Sequence, residues 1–282
     1  MKPAPFAYAK ARSLDEAIAL LTKHGDGARL LAGGQSLLAT LNMRLSSPQL
    51  LVDINGIAGL DRIARKDGTL EIGALVRHAQ AERAHDIAKH APLIALALPH
   101  IAHPAIRNRG TIGGSLAFAD PAAELPACVL ALGGELEIAG PKGKRTVKAD
   151  DFFKGLFETA LGPHDLLTVI RIPEATAQSR VGFAEFARRR GDYAIVGLAA
   201  SARSDGKGLT DVRLAYFGVG ATPLRAKKAE AALANGKLDA AIAALNDDLD
   251  PPDDIQESGA VKKHLAGVLL KRVAQQLAEK RT

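Results

Sequence analysis

Residues 30–37 read Leu-Leu-Ala-Gly-Gly-Gln-Ser-Leu, and residues 111–116 read Thr-Ile-Gly-Gly-Ser-Leu. In both stretches an apolar run meets a glycine pair, and polar residues follow it. A glycine pair lets backbone N–H groups approach an anion because no Cβ atom stands in the way, and a nearby serine adds a hydroxyl donor. The two stretches together predict the two halves of a diphosphate-binding site.

A single glycine pair is more often an ordinary strand-to-helix turn, and it is the second pair that favours a binding site. Neither stretch matches the common phosphate-binding motifs. The chain has no G-x-G-x-x-G motif opening a helix and no G-x-x-x-x-G-K-[ST] motif, which argues against a Rossmann or P-loop nucleotide site. The sequence therefore favours a different dinucleotide-binding fold.

Composition sets limits on the fold and on the cofactors that the chain holds alone. The 282 residues are 47% hydrophobic and 24% charged, which is enough to bury a substantial core in two or three compact units. Cys128 is the only cysteine and lies in an apolar run. A disulfide is excluded, and so is an iron–sulfur cluster held by this chain alone, since such clusters usually need about four thiolates.

The formal net charge of +6 raises the question of nucleic-acid binding. Lysine and arginine are dispersed, tryptophan is absent and aromatic residues make up only 4% of the chain, so a solvated basic face, or a surface that docks an acidic partner, explains the charge better. The first residues lack the apolar region of a signal peptide, and no apolar stretch approaches the roughly 18 residues of a membrane span. We expect a cytoplasmic protein without a membrane span.

Periodicity predicts an α+β (α/β) chain that divides near residue 175. Ser13 and Glu16 form a capping box for a helix from Ser13 to His24 that Gly25 ends. Strands at 30–32 and 51–54 complete a first subdomain, about residues 1–57. The second subdomain, 58–175, is predicted to contain strands at 70–74, 135–139, 144–148 and 166–172, and helices at 92–101 and 121–133.

The predicted helix at 121–133 has Asp120 as N-cap and Pro121 at its first position. After a polar segment at 174–180, residues 176–282 are predicted to form a second domain. It contains three antiparallel strands, at 181–188, 194–204 and 209–219, and then helices. One helix is predicted to begin with Thr222 as its cap and Pro223 at its first position, and an amphipathic helix closes the chain.

Four longer stretches carry a family resemblance. They are residues 31–37 (LAGGQSL), 107–124 (RNRGTIGGSLAFADPAAE), 159–173 (TALGPHDLLTVIRIP) and 186–197 (FARRRGDYAIVG), and residues 266–272 (AGVLLKR) resemble the last helix of the same family. In this order and spacing they resemble the FAD-binding medium subunit of the molybdenum hydroxylases, the xanthine dehydrogenase and aerobic carbon monoxide dehydrogenase family. The resemblance runs from one end of the chain to the other.

The resemblance implies a fold and a cofactor site. The fold is a two-subdomain FAD-binding domain of the vanillyl-alcohol oxidase (PCMH) type, followed by a three-stranded antiparallel sheet with helices. The implied FAD-binding residues are Arg29, Leu30, Leu31, Ala32, Gly33, Gly34, Gln35, Ser36, Leu37, Ile101, Thr111, Ile112, Gly113, Gly114, Ser115, Asp120, Leu161 and Tyr193. No metal site is predicted, because no carboxylate or thiol stands at ligand spacing near His100 and His103.

Some of these residues take individual roles from the resemblance. Ile101 and Leu161 align with the pair that sandwiches adenine, although both are also ordinary core residues. Asp120 aligns with a residue close to FAD. Its predicted role as N-cap would by itself also explain an aspartate at this position. Tyr193 aligns with the residue that covers one face of the isoalloxazine ring, a place that suits a flat amphipathic side chain.

The sequence departs from the family pattern at one place. Several relatives carry a lysine near the flavin eight or nine positions before the equivalent of Tyr193, and this chain has Ala184 and Glu185 there. Arg188 and Arg189 are the candidates for the cation that offsets the negative charge of reduced flavin.

The implied function is that of an FAD-carrying electron-transfer subunit of a heteromeric dehydrogenase. Electrons reach its FAD from [2Fe-2S] clusters on a small partner subunit, after a large molybdopterin subunit has hydroxylated the substrate, and they leave to an external acceptor. The expected assembly is a dimer of heterotrimers, a heterohexamer, that binds no nucleic acid. Two alternatives stay open: a stand-alone flavin-dependent oxidase of the vanillyl-alcohol oxidase type, and a flavin-free scaffold subunit.

Overall fold

The first unit of the chain is a small parallel sheet with helices. The computed structural model of the chain describes residues 2–279. In chain order its elements are β1 (Ala7–Lys10), α1 (Leu14–His24), β2 (Ala28–Leu31), α2 (Leu37–Asn42) and β3 (Leu50–Asp53). The strand order is β1-β3-β2, and both pairings are parallel.

The predicted start and end of the first helix are confirmed. The Ser13 hydroxyl accepts from the N–H of Glu16 at 3.1 Å, and the Glu16 carboxylate accepts from the N–H of Arg12 at 2.8 Å. Gly25 ends the helix with a φ of +50°, in the region that favours glycine. Capped in this way, α1 makes the crossover that the parallel strands β1 and β2 require.

The second unit is built on an antiparallel sheet. Its elements are β4 (Ile63–Lys66), β5 (Thr69–Gly73), α3 (His78–Arg83), α4 (His85–His90), α5 (Pro92–Ala97), α6 (Pro104–Arg107), α7 (Ile112–Phe118), α8 (Glu124–Ala131), β6 (Glu135–Gly140), β7 (Gly143–Lys148), α9 (Ala149–Phe152), β8 (Phe153–Gly155), β9 (Glu158–Thr159) and β10 (Leu166–Pro173). Five strands pair in the order β4-β5-β10-β6-β7, and β8 pairs with β9.

Two predicted helices of this unit have different bounds. The helix predicted at 121–133 begins at Glu124 with Ala123 as N-cap, so the prediction of Asp120 as N-cap is wrong. The Asp120 carboxylate instead accepts from the N–H of Ala122 at 2.9 Å, which closes a turn ahead of the helix. The helix predicted at 92–101 is α5 followed by a 3-10 turn, Leu98–His100, because Pro99 has no N–H to continue the α-helical pattern.

The third unit is an antiparallel sheet with three helices. Its elements are β11 (Ser179–Ala187), β12 (Ala194–Ser204), β13 (Leu209–Phe217), β14 (Leu224–Arg225), α10 (Lys227–Ala234), α11 (Leu238–Asp248) and α12 (Gly259–Ala278). The three predicted strands are present, and the short β14 adds a fourth beside β13. Because β14 occupies this place, α10 begins at Lys227 and the prediction of Thr222 as its cap is wrong.

The third sheet is buried on both faces. Ala199, Ala215 and Phe217 point into the core of the second unit, whereas Leu198 and Leu214 pack with α10, α11 and α12. The period-2 alternation of strands produces these two faces. The Ser201 hydroxyl also donates to the carbonyl oxygen of Ala131 in α8 at 2.6 Å. The second and third units therefore share one hydrophobic core. None of the helices described between residues 2 and 279 combines the length and the apolarity that a membrane span needs.

Candidate functional site

A cleft of about 820 Å³ brings the two glycine pairs together. Its volume lies near the upper end of the range typical of ligand-binding pockets. Of the predicted cofactor-binding residues, those that line it are Arg29, Leu30, Ala32, Gly33, Gly34, Gln35, Ser36, Leu37, Ile101, Thr111, Gly113, Gly114, Ser115, Asp120, Leu161 and Tyr193. Leu31 ends β2 outside the lining, and Ile112 is fully buried in the core at the start of α7.

The first glycine loop, residues 32–36, connects β2 to α2. Gly34 has a φ of +75°, a conformation that only glycine adopts at little cost. The Gly34 carbonyl oxygen accepts from the N–H of Leu38 at 3.0 Å, and the Gln35 side chain donates to the carbonyl oxygen of Gly33 at 3.1 Å. The turn is therefore fixed by its own hydrogen bonds, in a shape that requires glycine at position 34.

The second glycine loop, residues 110–115, includes the first turn of α7, in which Gly113 and Gly114 lie. The Thr111 hydroxyl caps this helix by accepting from the N–H of Gly114 at 3.0 Å. Gly113 lies against the chain after β5, where an added Cβ would be 2.4 Å from the Cβ of Ala74. Its N–H donates to the carbonyl oxygen of Ala74 at 2.9 Å. Close packing of two backbones therefore requires glycine at 113.

A polar bridge, Asn55 and Arg77, joins the two glycine loops behind the cleft. The Asn55 amide donates to the carbonyl oxygen of Ala32 at 2.9 Å. The Arg77 guanidinium donates both to the Asn55 side-chain oxygen and to the carbonyl oxygen of Arg109. Sequence analysis missed both residues, because each is an ordinary loop residue until the chain folds.

Tyr193, Asp120 and Glu124 line another part of the cleft. Burial raises the pKa of Asp120, and it raises the pKa of Glu124 to about 8, with added repulsion from Glu185 and Asp120. Tyr193 is 61% exposed, and its pKa is raised first by partial burial and then by the negative Asp120 and Glu124. Sequence analysis missed Glu124, which reads there as an ordinary residue of a helix.

Glu185, at the position where the sequence departs from the expected family pattern, lies beside a histidine. Glu185 is almost fully buried, and one of its carboxylate oxygens lies 3.0 Å from Nδ1 of His100. Of the two candidate cations, Arg188 lines the cleft and Arg189 does not. Arg188 also donates to the carbonyl oxygen of Gln256, in the loop before α12, at 3.5 Å.

Two apolar residues complete the lining that the resemblance implies. Ile101 follows the 3-10 turn after α5 and is 9% exposed, and Leu161 lies half-buried in the segment between β9 and β10. Both also pack against the core of the second unit. Their contribution to the cleft is therefore an apolar surface that is continuous with the core.

Two family models match the chain in succession. One, described as the FAD binding domain in molybdopterin dehydrogenase, matches residues 4–175. The other, described as the CO dehydrogenase flavoprotein C-terminal domain, matches residues 182–277.

Similar proteins cover nearly the whole chain. It is 39% identical over 278 residues to the 6-hydroxypseudooxynicotine dehydrogenase complex subunit alpha of Paenarthrobacter nicotinovorans, covering 96% of this chain and 94% of that protein. A structure of carbon monoxide dehydrogenase from Hydrogenophaga pseudoflava matches with a TM-score of 0.96 and 36% identity, over 98% of each chain. Quinoline 2-oxidoreductase from Pseudomonas putida 86 matches with a TM-score of 0.92 and 36% identity, over 99% of this chain and 98% of the other.

Proposed function

Because the chain belongs to the family of FAD-binding medium subunits of the molybdenum hydroxylases, we propose that it binds FAD in this cleft and transfers electrons for an oxidoreductase complex. The observation that carries this proposal is the meeting of two glycine loops, far apart in sequence, along one cleft. Bound FAD would supply the redox chemistry by accepting electrons from the partner subunits and passing them to an external acceptor.

The residues of the cleft fit a dinucleotide. The two glycine loops and Ser115 present small residues along the lining, where a larger side chain would exclude a phosphate group. Gly34, whose φ of +75° favours glycine, lines the same cleft, so the backbone there can approach a phosphate group without a Cβ atom in the way.

The roles proposed for individual residues follow from this arrangement. Residues 29–37 and 111–115 hold the diphosphate, while Ile101 and Leu161 provide apolar surfaces for the adenine. Tyr193 covers one face of the isoalloxazine ring, and Asp120 lies beside it. Arg188 is the proposed cation at the flavin, because it lines the cleft and Arg189 does not. With these assignments the chain binds and orients FAD and does not contact the organic substrate.

We propose that the chain works together with partner subunits. Cys128 is its only cysteine and is fully buried in α8, so [2Fe-2S] clusters belong to another subunit. We propose a small [2Fe-2S] subunit and a large molybdopterin subunit, joined to this chain in a dimer of heterotrimers in the cytoplasm. The relative described as a dehydrogenase complex subunit, which matches over almost its whole length, supports this proposal over a stand-alone oxidase or a flavin-free scaffold.

We also propose that the chain divides into an FAD-binding domain, residues 1–175, and a C-terminal domain, residues 176–282. The two family models meet between residues 175 and 182, which supports this division. Subdomains of about 1–57 and 58–175 correspond to the parallel and antiparallel sheets. The shared core between β12, β13 and α8 makes the two domains depend on each other for stability.

Purification from the native host tests the function. We expect a yellow protein that releases free FAD on denaturation, because Cys128, its only cysteine, is fully buried in α8 and away from the lining of the cleft. It should bring down two further subunits together with iron and molybdenum, and substrate-dependent reduction of its flavin should require both. A colourless chain, or a purified single chain that oxidises an organic substrate at an enzymatic rate, would contradict the proposal.

A further inference from the structure

The two glycine loops differ in how their backbone N–H groups are used. In the second loop, the N–H groups of residues 112–115 all donate to acceptors within the chain, at 2.9 to 3.1 Å. In the first loop, the N–H groups of residues 33–36 make no hydrogen bond to any of the residues that the structure describes. The backbone donors available to a ligand in the cleft are therefore those of the first loop.

The first of these free donors is the N–H group of Gly33. Gly33 is buried and lines the cleft, and its carbonyl oxygen accepts from the Gln35 side chain. Native structures rarely leave the N–H group of a buried residue unpaired, unless water or a ligand provides the acceptor. The direction of this N–H group therefore decides whether a ligand in the cleft can use it.

Asn55 fixes the orientation of the peptide unit between Ala32 and Gly33. Its side-chain amide donates to the carbonyl oxygen of Ala32 at 2.9 Å, and Asn55 does not line the cleft. The C=O and N–H groups of a planar trans peptide point to opposite sides, and the described residues contain no cis peptide bond. With the carbonyl of Ala32 directed at Asn55, the N–H group of Gly33 is directed away from it.

The Asn55 amide is itself held at both ends. Its nitrogen also donates to the carboxylate of Asp53 at 2.6 Å, and its oxygen accepts from the Arg77 guanidinium. The backbone N–H of Asn55 donates to the same carboxylate at 2.8 Å. Asn55 and Arg77 line a separate cavity of about 340 Å³, and neither lines the cleft. Asn55 can therefore act on a ligand in the cleft only through the first loop.

We propose that Asn55 is a positioning residue for the cofactor: by holding the carbonyl of Ala32, it turns the N–H group of Gly33 toward the diphosphate of bound FAD. This inference rests on the proposed binding of FAD in the cleft. A hydrogen bond from a backbone N–H group to a charged acceptor is stronger than one to a neutral acceptor, so its direction matters most for the diphosphate. Arg77 and Asp53 serve the same contact by fixing the rotation of the amide.

The variant Asn55→Leu tests this role by affinity. It removes the donor to Ala32 and leaves both glycine loops unchanged in sequence. We expect FAD to bind about tenfold more weakly, as for loss of one well-aligned hydrogen bond to a charged group. ADP should weaken by a similar factor and adenosine should bind as it does to the wild type, because only ADP carries the diphosphate. Flavin fluorescence measures FAD binding, and calorimetric titration measures the two fragments.

Arg65→Leu is the matched control. Like Asn55, Arg65 is exposed and joins distant segments through its side chain, with two hydrogen bonds to the carboxylate of Glu174 at 2.9 and 2.8 Å. Neither Arg65 nor Glu174 lines the cleft. Both leucine variants should lower the melting temperature, and only Asn55→Leu should raise the Kd for FAD. Equal losses of FAD affinity in the two variants would indicate a general effect on the fold and overturn the inference.

Phosphorus NMR of the FAD-saturated proteins tests the contact itself. At saturation the two diphosphate signals report the surroundings of the phosphates and not the occupancy of the site. In Asn55→Leu these signals should move toward those of free FAD, whereas in Arg65→Leu they should match the wild type. Unchanged signals together with unchanged ADP affinity in Asn55→Leu overturn the inference and leave the proposed function standing. A wild-type chain that fails to bind FAD overturns the proposed function instead.

Discussion

Gly33 lies so close to Arg109 that a Cβ atom added to the glycine would be 2.3 Å from the carbonyl oxygen of the arginine. The same carbonyl oxygen accepts from the Arg77 guanidinium. Residues that are 76 positions apart in the sequence (109 − 33) are thereby locked into direct contact. The glycine at 33 serves the packing of one loop against the other, and this contact is what gives the cleft its two-sided form.

Replacement of Gly34 by alanine tests the first glycine loop. Its φ of +75° makes an alanine strained by about 1–2 kcal/mol, and the new Cβ would lie 3.0 Å from a methyl group of Leu38. Gly34→Ala should therefore weaken FAD binding severalfold, as measured by flavin titration. Gly68→Ala is the matched control, with a φ of +76° and open space around the Cβ. Gly68→Ala should lower the free energy of unfolding by a similar amount and leave the affinity for FAD unchanged. Equal FAD affinity in the two variants would show that Gly34 does not belong to the binding site.

Removal of the Tyr193 ring should alter flavin reactivity more than flavin affinity. The ring is 61% exposed at the cleft, and most of the binding energy is expected from the diphosphate and adenine ends. In Tyr193→Ala the Kd should rise by less than about tenfold, since an aromatic contact contributes about 0.5–1.5 kcal/mol. Stopped-flow reoxidation should change more strongly, and Tyr193→Phe should behave as the wild type. Loss of FAD with normal reoxidation after reconstitution would show the assigned role to be wrong.

Glu124 makes the stability of the flavin-free protein depend on pH. Its pKa is raised from 4.5 to about 8, so the folded protein keeps a proton that the unfolded chain releases above about pH 4.5. The stabilisation is complete below that pH and is lost as pH rises through 8, with a slope of at most about 1.4 kcal/mol per pH unit.

Glu124→Gln should flatten this profile and raise the melting temperature most above about pH 8, where the wild-type carboxyl is ionised in the folded protein. Glu158→Gln, at an exposed carboxyl of β9, is the control and should follow the wild type. Thermal unfolding from about pH 5 to pH 8.5 measures the effect. Parallel profiles for all three proteins would place the Glu124 carboxyl in a solvated environment.

The second and third units should unfold together. Phe217 of β13 and Cys128 of α8 belong to the same core, and both are fully buried. A single transition is expected in calorimetry, with equal calorimetric and van't Hoff enthalpies. Phe217→Ala should lower the free energy of unfolding by about 3–5 kcal/mol without splitting the transition. Two separate transitions in the wild type would indicate independent cores.

Local patterns in the sequence predicted much of the fold. The capping box at Ser13 and Glu16 and the stop at Gly25 act within a few residues, so the bounds of α1 followed directly from them. The three long strands of the third unit were likewise predicted from the alternation of apolar and polar residues along them. Predictions failed where a distant or competing contact decided the outcome: the pairing of β14 with β13 moved the start of α10, and the turn at Asp120 moved the start of α8.

The sequence by itself determined the family resemblance, the two glycine pairs and the lack of enough cysteines to hold an iron–sulfur cluster, because these are properties of residue types in a fixed order. Only the tertiary structure decided which groups meet. The bridge of Asn55 and Arg77 and the buried carboxyl of Glu124 arise from contacts between distant segments. Burial and hydrogen bonding depend on those contacts, so no local pattern of residues encodes them.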